Sequence, residues 1–262
     1  MTSAPVGPVV HVERLTKAFG GLRAVTEVTF DLLPGGIAAL IGPNGAGKTT
    51  IFNLMTGALR ADEGSVSVNG RDITGLPVYR RARLGIGRTF QDVRLFGGMS
   101  VGENVEVYAQ RGRAASVTRS LVLPRSTRRM DREAKARARA TLELIGVGHL
   151  ERQSVDGLSY AEQKLVAIAR ILAMGATTLL MDEPASGVDE VGRDQLCGAV
   201  QRLAAENLTV CIIEHNLDVV RRVATRVVFL AEGRILASGA PDEIFESSEL
   251  AEVYFGSGAI HG

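Results

Sequence analysis

One eight-residue stretch constrains this chain more than any other: Gly42-Pro43-Asn44-Gly45-Ala46-Gly47-Lys48-Thr49. It follows a short continuous apolar run, Ile37 to Ile41, and opens a segment, Thr49 to Leu59, in which Ile51, Leu54, Met55 and Ala58 recur at helical spacing. Strand, glycine loop and helix are the setting in which G-x-x-x-x-G-K-[ST] binds phosphate. Glycines let successive N–H groups converge on phosphate oxygens without Cβ clashes, and the helix N-terminus adds the positive end of its dipole. Lys48 is then placed to reach the β- and γ-phosphates and Thr49 to hold Mg²⁺. The expected phosphate-binding set runs from Gly42 through Thr50.

A second carboxylate-bearing site is expected at the end of another buried strand, and Leu179-Leu180-Met181-Asp182-Glu183 supplies it. Asp182 is placed to orient Mg²⁺, and Glu183, one residue beyond the strand, to polarise a water in line with the γ-phosphate. The surrounding pattern is α/β. Val28, Phe30 and Leu32 alternate with polar residues and predict a half-buried strand paired antiparallel with Val9 to Val12. Thr178 to Met181 and Val210 to Ile213 read as buried strands separated by a helix over Glu190 to Glu206, which implies a parallel sheet with crossover helices. Between about Gln110 and Gly157 the strand signals stop, and Met130, Ala134, Ala138, Leu142 and Ile145 mark a helical insertion.

Composition narrows the partners. With 30 Lys+Arg against 29 Asp+Glu, the net charge of +1 provides no global field for nucleic acid. Arg111 to Arg139 is locally basic, ten positive residues against Asp131 and Glu133, a net of +8. A solvated helix face explains such a run, as does attraction to anionic lipid headgroups or an acidic partner. No aromatic residue between Gln110 and His149 offers a base-stacking platform, so nucleic acid is not expected as a partner. The longest uncharged run, Leu32 to Gly47, contains two prolines and five glycines and falls short of the ~20 apolar residues that cross a bilayer. Met1 to Gly7 lacks the features of a secretory signal. Cys197 and Cys211, without C-x-x-C spacing, read as two core thiols.

With these residues in place, the chain resembles the nucleotide-binding subunit of an ATP-binding cassette (ABC) transporter from about Val9 to Gly256. Phe19 matches the aromatic that stacks on adenine, Gln91 the glutamine between nucleotide, metal and membrane partner, and His215 the switch histidine. Leu158-Ser159-Tyr160-Ala161-Glu162 resembles the signature motif, and Asp189 the aspartate of the loop that crosses the dimer interface. Ser159-x-x-Glu162 is independently a capping box. The resemblance implies a P-loop NTPase fold: a mostly parallel core sheet, an antiparallel β subdomain and an inserted helical subdomain at about 95–165, all within one domain at 8–256. Residues 1–7 and 257–262 are expected to be flexible tails. It also implies ATP and Mg²⁺ as cofactors, with Thr49, Gln91 and Asp182 holding the metal and Glu183, His215 and Gln91 acting in hydrolysis. Two cassettes, identical or paralogous, would close head to tail, each offering Ser159, Tyr160, Ala161, Glu162 and Asp189 to the nucleotide of the other.

Gly85-Ile86-Gly87-Arg88-Thr89-Phe90-Gln91, Arg94-Leu95-Phe96, Met99-Ser100-Val101, Glu103-Asn104, Ile213-Glu214-His215-Asn216 and Val253-Tyr254-Phe255-Gly256 look like the branched-chain amino acid uptake group. Such a subunit would sit at the cytoplasmic face of the membrane beneath two integral permease subunits, each inserting a short helix near Gln91 and Glu103, with an extracytoplasmic solute-binding protein delivering cargo. A lipid or lipopolysaccharide exporter motor and a soluble ABC ATPase are the alternatives. The sequence departs from the family at Ala161, usually glycine, and at Val188-Asp189, where the branched-chain group more often has Leu-Asn. A methyl at Ala161 is expected to stand near the γ-phosphate and weaken closure by about 1 kcal/mol, so that removing it would raise hydrolysis.

Overall fold

The computed structural model describes residues 7–89, 93–110 and 124–247. Gln91, residues 111–123 of the basic stretch, 1–6, 257–262 and Val253 to Gly256 lie outside the described residues. The chain opens with β1 (Val10–Phe19) and β2 (Leu22–Leu32), antiparallel, with Val10 opposite Leu32 and Val12 opposite Phe30. Val28, Phe30 and Leu32 are buried while Glu27 and Thr29 are exposed, the period-two pattern expected of a one-sided strand. β1 continues well past Val12 through register shifts that break the alternation, and Arg14 and Glu27 take left-handed backbone there, at φ 42° and 50°.

β3 (Ile37–Ile41) is buried at every position, and α1 (Lys48–Thr56) follows it through the glycine loop. α1 ends three residues before the expected Leu59 because Gly57 turns to φ 79° and its N–H bonds back to Leu54. β4 (Glu63–Val68) and β5 (Arg71–Asp72) complete an antiparallel sheet in the order β2-β1-β4-β5. From α2 (Val78–Arg83), the buried Arg81 donates to the Leu54 and Met55 carbonyls (2.6 and 2.9 Å) and fixes the end of α1.

The remaining strands build the second sheet around β3. These are β6 (Ile86–Arg88), β7 (Thr178–Asp182), β8 (Thr209–Ile213), β9 (Arg226–Ala231) and β10 (Arg234–Gly239), in the order β10-β9-β3-β8-β7-β6. All pairings are parallel except that of edge strand β10. Between β6 and β7 lie α3 (Val101–Ala109), α4 (Pro124–Ile145) and α5 (Tyr160–Ala173). α6 (Glu190–Ala205) crosses from β7 to β8 and α7 (Leu217–Val223) from β8 to β9, and α8 (Pro241–Phe245) follows β10. The α/β class, the mostly parallel sheet and the antiparallel sheet agree with the sequence reading. α4 buries Ala134, Ala138, Leu142 and Ile145, the stripe read from helical spacing. The sequence reading did not contain α3, although Ser100 and Glu103 form the same capping box recognised at Ser159 and Glu162.

The parallel sheet separates two cores by strict alternation. Ala38, Leu40, Leu180, Cys211, Ile213 and Leu230 face α1 and the antiparallel sheet. Ile37, Ala39, Ile41, Met181, Ile212 and Phe229 face the helices, where α3, α4, α5 and α6 pack. Cys197 and Cys211 are both buried and free, in different cores.

α5 and α6 pack tightly at their first turns. A Cβ added to Gly192 would lie 2.5 Å from the Ala161 Cβ and 2.9 Å from Asp189 Oδ1. The Ala161 methyl is therefore buried against α6 within its own protomer. Gly192→Ala is expected to force the two helices apart and to lower unfolding free energy by roughly 1–3 kcal/mol. In urea denaturation the double variant with Ala161→Gly should recover part of that loss, since the methyl in the way has gone; a fully additive double variant would refute the contact.

Candidate active site at the carboxyl ends of the parallel strands

Four adjacent parallel strands, β3, β8, β7 and β6, end side by side, and each delivers part of the site at its carboxyl end. Ligands of open α/β sheets bind at this edge. After β3, Gly42 passes so close to β9 that a Cβ would meet the Leu230 carbonyl oxygen at 1.9 Å; at Gly47 (φ 97°) it would meet that of Ala24 at 2.5 Å. Only glycine fits either position. α1 then starts with no side-chain cap at Gly47 and no acidic residue in its first turn, so its N-terminal dipole is not offset locally. Asn44 and Gly45 are exposed at the loop's crest, Pro43 and Thr50 are half-buried, Ala46 is buried, and Thr49 is exposed at the helix start.

Lys48 is buried, and its Nζ donates to the carbonyls of Gly42 (2.7 Å) and Pro43 (2.9 Å). Burial pulls its pKa below that of an ordinary lysine, against the opposing pull of Glu183 and Asp182. Those two carboxylates follow from β7. Asp182 is buried and accepts from Arg88 Nη2 (2.9 Å), while Arg88 Nη1 donates to Asn53 Oδ1 of α1 (2.5 Å). Glu183 takes left-handed backbone at φ 47°, a conformation that costs a non-glycine residue of order 1 kcal/mol or more. Its N–H donates to the Ile213 carbonyl (2.9 Å), and its Oε1 lies 3.1 Å from His215 Nε2. His215 comes from the turn after β8, where Asn216 caps α7 by accepting from the N–H groups of Asp218 and Val219.

The fold thus gathers Gly42 to Thr50, Asp182, Glu183 and His215 on one edge. Ser159, Tyr160, Ala161, Glu162 and Asp189 form a second group at the first turns of α5 and α6. Ser159 Oγ accepts from the Glu162 N–H (3.3 Å), and Glu162 Oε2 accepts from the Ser159 N–H (2.7 Å). Asp189 Oδ1 accepts from the Gly192 N–H (2.8 Å). These bonds close on their own helices, leaving Ser159 and Tyr160 exposed. The Ala161 methyl faces Gly192, which departs from its expected place beside a phosphate: a side chain at the second helical position here turns back onto its own protomer. Phe19, at the end of β1, is 46% exposed, with Lys17 Nζ 5.6 Å from its ring centroid. Gln91 lies outside the described residues. Glu103 caps α3, accepting from the Ser100 N–H (2.8 Å).

The sequence reading passed over three charged residues at this edge. Arg88 appeared only as part of a longer motif, as did Glu214. Lys164 is one polar residue on a helix, and nothing local signals partners nineteen to twenty-two residues away.

A family model described as "ABC transporter" matches residues 25–186. The chain is 36% identical over 250 residues to the high-affinity branched-chain amino acid transport ATP-binding protein BraF of Pseudomonas aeruginosa and, equally, to LivG of Escherichia coli strain K12; both matches cover 95% of this chain and 98% of the relative. A probable branched-chain amino acid transport ATP-binding protein LivG of Archaeoglobus fulgidus is 34% identical, over 95% of this chain and 96% of its own. Among solved structures, a nucleotide-free ATP-binding cassette from an ABC transporter superposes with TM-score 0.80 at 29% identity, covering 95% of this chain and 100% of the other. A cassette structure in the ADP conformation gives TM-score 0.81 at 30% identity, covering 95% and 99%. A phosphate loop and an acidic strand end on one sheet edge, in relatives matched along nearly their whole length, place the conclusion beyond the fold alone: this chain belongs to the ABC transporter family, as one of its ATP-binding subunits.

Proposed function

We propose that this chain is the ATP-hydrolysing motor of an ABC importer whose cargo is branched-chain amino acids or related solutes. The observation that carries the chemistry is Glu183, held at the end of β7 by His215, which comes from β8, the strand between β7 and the β3 that leads to Lys48. The cargo class rests on relatives matched over 95% of this chain, which are branched-chain amino acid transport ATP-binding proteins.

The loop 42–50 binds the phosphates of ATP through its N–H groups and the Lys48 ammonium, and the exposed Phe19 ring stacks on the base. Among the described residues no three His, Cys, Asp or Glu side chains converge on a metal-sized site. Oxygen donors at Thr49 and Asp182, with Gln91, suit Mg²⁺, which takes its other ligands from phosphate and water. When bound, Mg²⁺ would neutralise charge on the β- and γ-phosphates. Glu183 accepts a proton from the attacking water, and its bond with His215 keeps the carboxylate aimed across the strand ends.

The second group of residues takes its role from a partner. Ser159 and the free N–H groups of the first turn of α5 meet the γ-phosphate held by the opposite cassette, and Asp189 lies along the same interface. Closure of the head-to-tail dimer, homomeric or with a paralogous cassette, excludes water, and loss of the γ-phosphate contacts releases it. No described helix is long and apolar enough to cross a membrane. Two integral permease subunits carry the passage, a solute-binding protein delivers cargo on the far side, and this chain works at the cytoplasmic face.

Glu183→Gln is expected to keep nucleotide affinity within about threefold, to cut turnover by about 100-fold or more, and to accumulate an ATP-bound dimer visible by light scattering. Normal turnover in that variant would remove Glu183 from its role. Ala161→Gly is expected to leave steady-state hydrolysis within twofold of wild type, because the methyl packs on Gly192, while lowering stability by about 0.5–1 kcal/mol. A severalfold rise in turnover would restore the view that this methyl obstructs closure.

A further inference from the structure

The loop from Glu183 to Ser186 carries the proposed base and leads toward the dimer interface, yet it belongs to neither a strand nor a long helix. Apart from the Ser186 N–H, which donates to the Glu183 carbonyl (3.1 Å), its backbone groups must find partners elsewhere. Lys164 of α5, 8% exposed, supplies them from one side: its Nζ donates to the carbonyls of Glu183 (3.2 Å), Pro184 (2.9 Å) and Ser186 (2.6 Å). All three ammonium hydrogens are committed to one loop. Glu214, 3% exposed, supplies the other side: Oε1 accepts from the Ala185 N–H (2.8 Å), and Oε2 accepts from the His215 N–H (3.2 Å). Four consecutive residues, 183 to 186, are thus gripped by a buried cation at three carbonyls and a buried anion at the amide between them.

Neither charge is well placed for its own sake. Burial pulls Lys164 below the usual lysine range and pushes Glu214 above the usual carboxylate range, while the charges of Glu214 and Glu183 draw Lys164 back up. Apolar side chains at both positions would fill the same space at lower desolvation cost. What the charged pair provides and an apolar pair would not is directional hold on the peptide groups that place Glu183 in its left-handed conformation.

We propose that Lys164 and Glu214 are positioning residues for hydrolysis, which fix the 183–186 backbone and through it the Glu183 carboxylate and its His215 partner. The proposal rests on the motor reading above and deepens it. Lys164 also shares α5 with Ser159, so the helix that meets the nucleotide of the partner cassette is tied directly to the base of its own site.

The test uses the full-length chain with Lys164→Met, Lys164→Arg and Glu214→Gln, following hydrogen exchange without nucleotide, affinity for a fluorescent ATP analogue, and steady-state hydrolysis. In Lys164→Met, exchange at Ala185 and Ser186 should quicken at least tenfold while the 42–56 segment is unchanged. Nucleotide affinity and KM should stay within threefold and kcat should fall at least tenfold. Lys164→Arg, which keeps a cation with several donors, should recover kcat to within threefold of wild type. Glu214→Gln should loosen the same loop and lower kcat with affinity retained, and it decides the matter if Lys164→Met does not fold. Wild-type loop exchange in the variants, fast exchange with kcat within twofold of wild type, or no rescue by arginine would each overturn the proposal. Failure of the motor reading looks different: a wild-type chain with no hydrolysis sensitive to Lys48→Ala, which removes the task for which Glu183 is held.

Discussion

A buried ammonium within electrostatic reach of two carboxylates sets the terms for this molecule. Lys48 is shielded from water, which disfavours its charge, and Asp182 and Glu183 lie close enough to favour it. Each carboxylate has a further partner, Arg88 for Asp182 and His215 for Glu183. Such a cluster holds only if its members come from rigid elements, because a small displacement would leave a charge unpaired in a low-dielectric site. The four parallel strand ends supply that rigidity. β3 aims the glycine loop, β7 the carboxylates, β8 the histidine and β6 the arginine, and the two cores above and below keep these strands from shifting.

Much of this was legible because it is local. Glycine spacing between an apolar run and a helical period is a property of about twenty consecutive residues, and so is an acidic pair after the three buried apolar residues Leu179, Leu180 and Met181. What the sequence concealed depends on direction or distance. That the Ala161 methyl packs against Gly192 of its own α6 depends on how two helices cross, which no local pattern records. β1 was read short because bulges near Arg14 place Leu15 and Thr16 both in the interior, which spoils a strict alternation. α3 was legible through its Ser100–Glu103 box, but its apolar stripe of Val101, Val105 and Ala109 covers little more than two turns.

Capping explains Ser159, Glu162 and Asp189 completely within one protomer, and a proposed role in a second cassette must add to that account without competing with it. A capped helix start is a rigid object: Ser159 and Glu162 spend their side-chain bonds on each other's N–H groups, so the turn holds its shape before any partner arrives. Preorganisation of this kind lowers the entropy lost on association. The capping bonds seen in one chain are thus the same bonds on which the proposed role in a second cassette would draw.

The loop between the two groups is held in shape in the same way. Glu183 adopts a backbone conformation few non-glycine residues accept, and the strain persists only where surrounding bonds over-determine it. Its N–H is taken by Ile213, its carbonyl by Lys164, its side chain by His215, and the peptide groups that follow by Lys164 and Glu214. Because Lys164 stands on the helix that begins at Ser159, any tilt of α5 is felt at the Glu183 carbonyl through a single ammonium. In the proposed motor this leaves no slack between the Ser159 helix start and the Glu183 carboxylate. In the proposed dimer, the Ser159 face and the Glu183 carboxylate are linked through two buried charges and four residues of backbone.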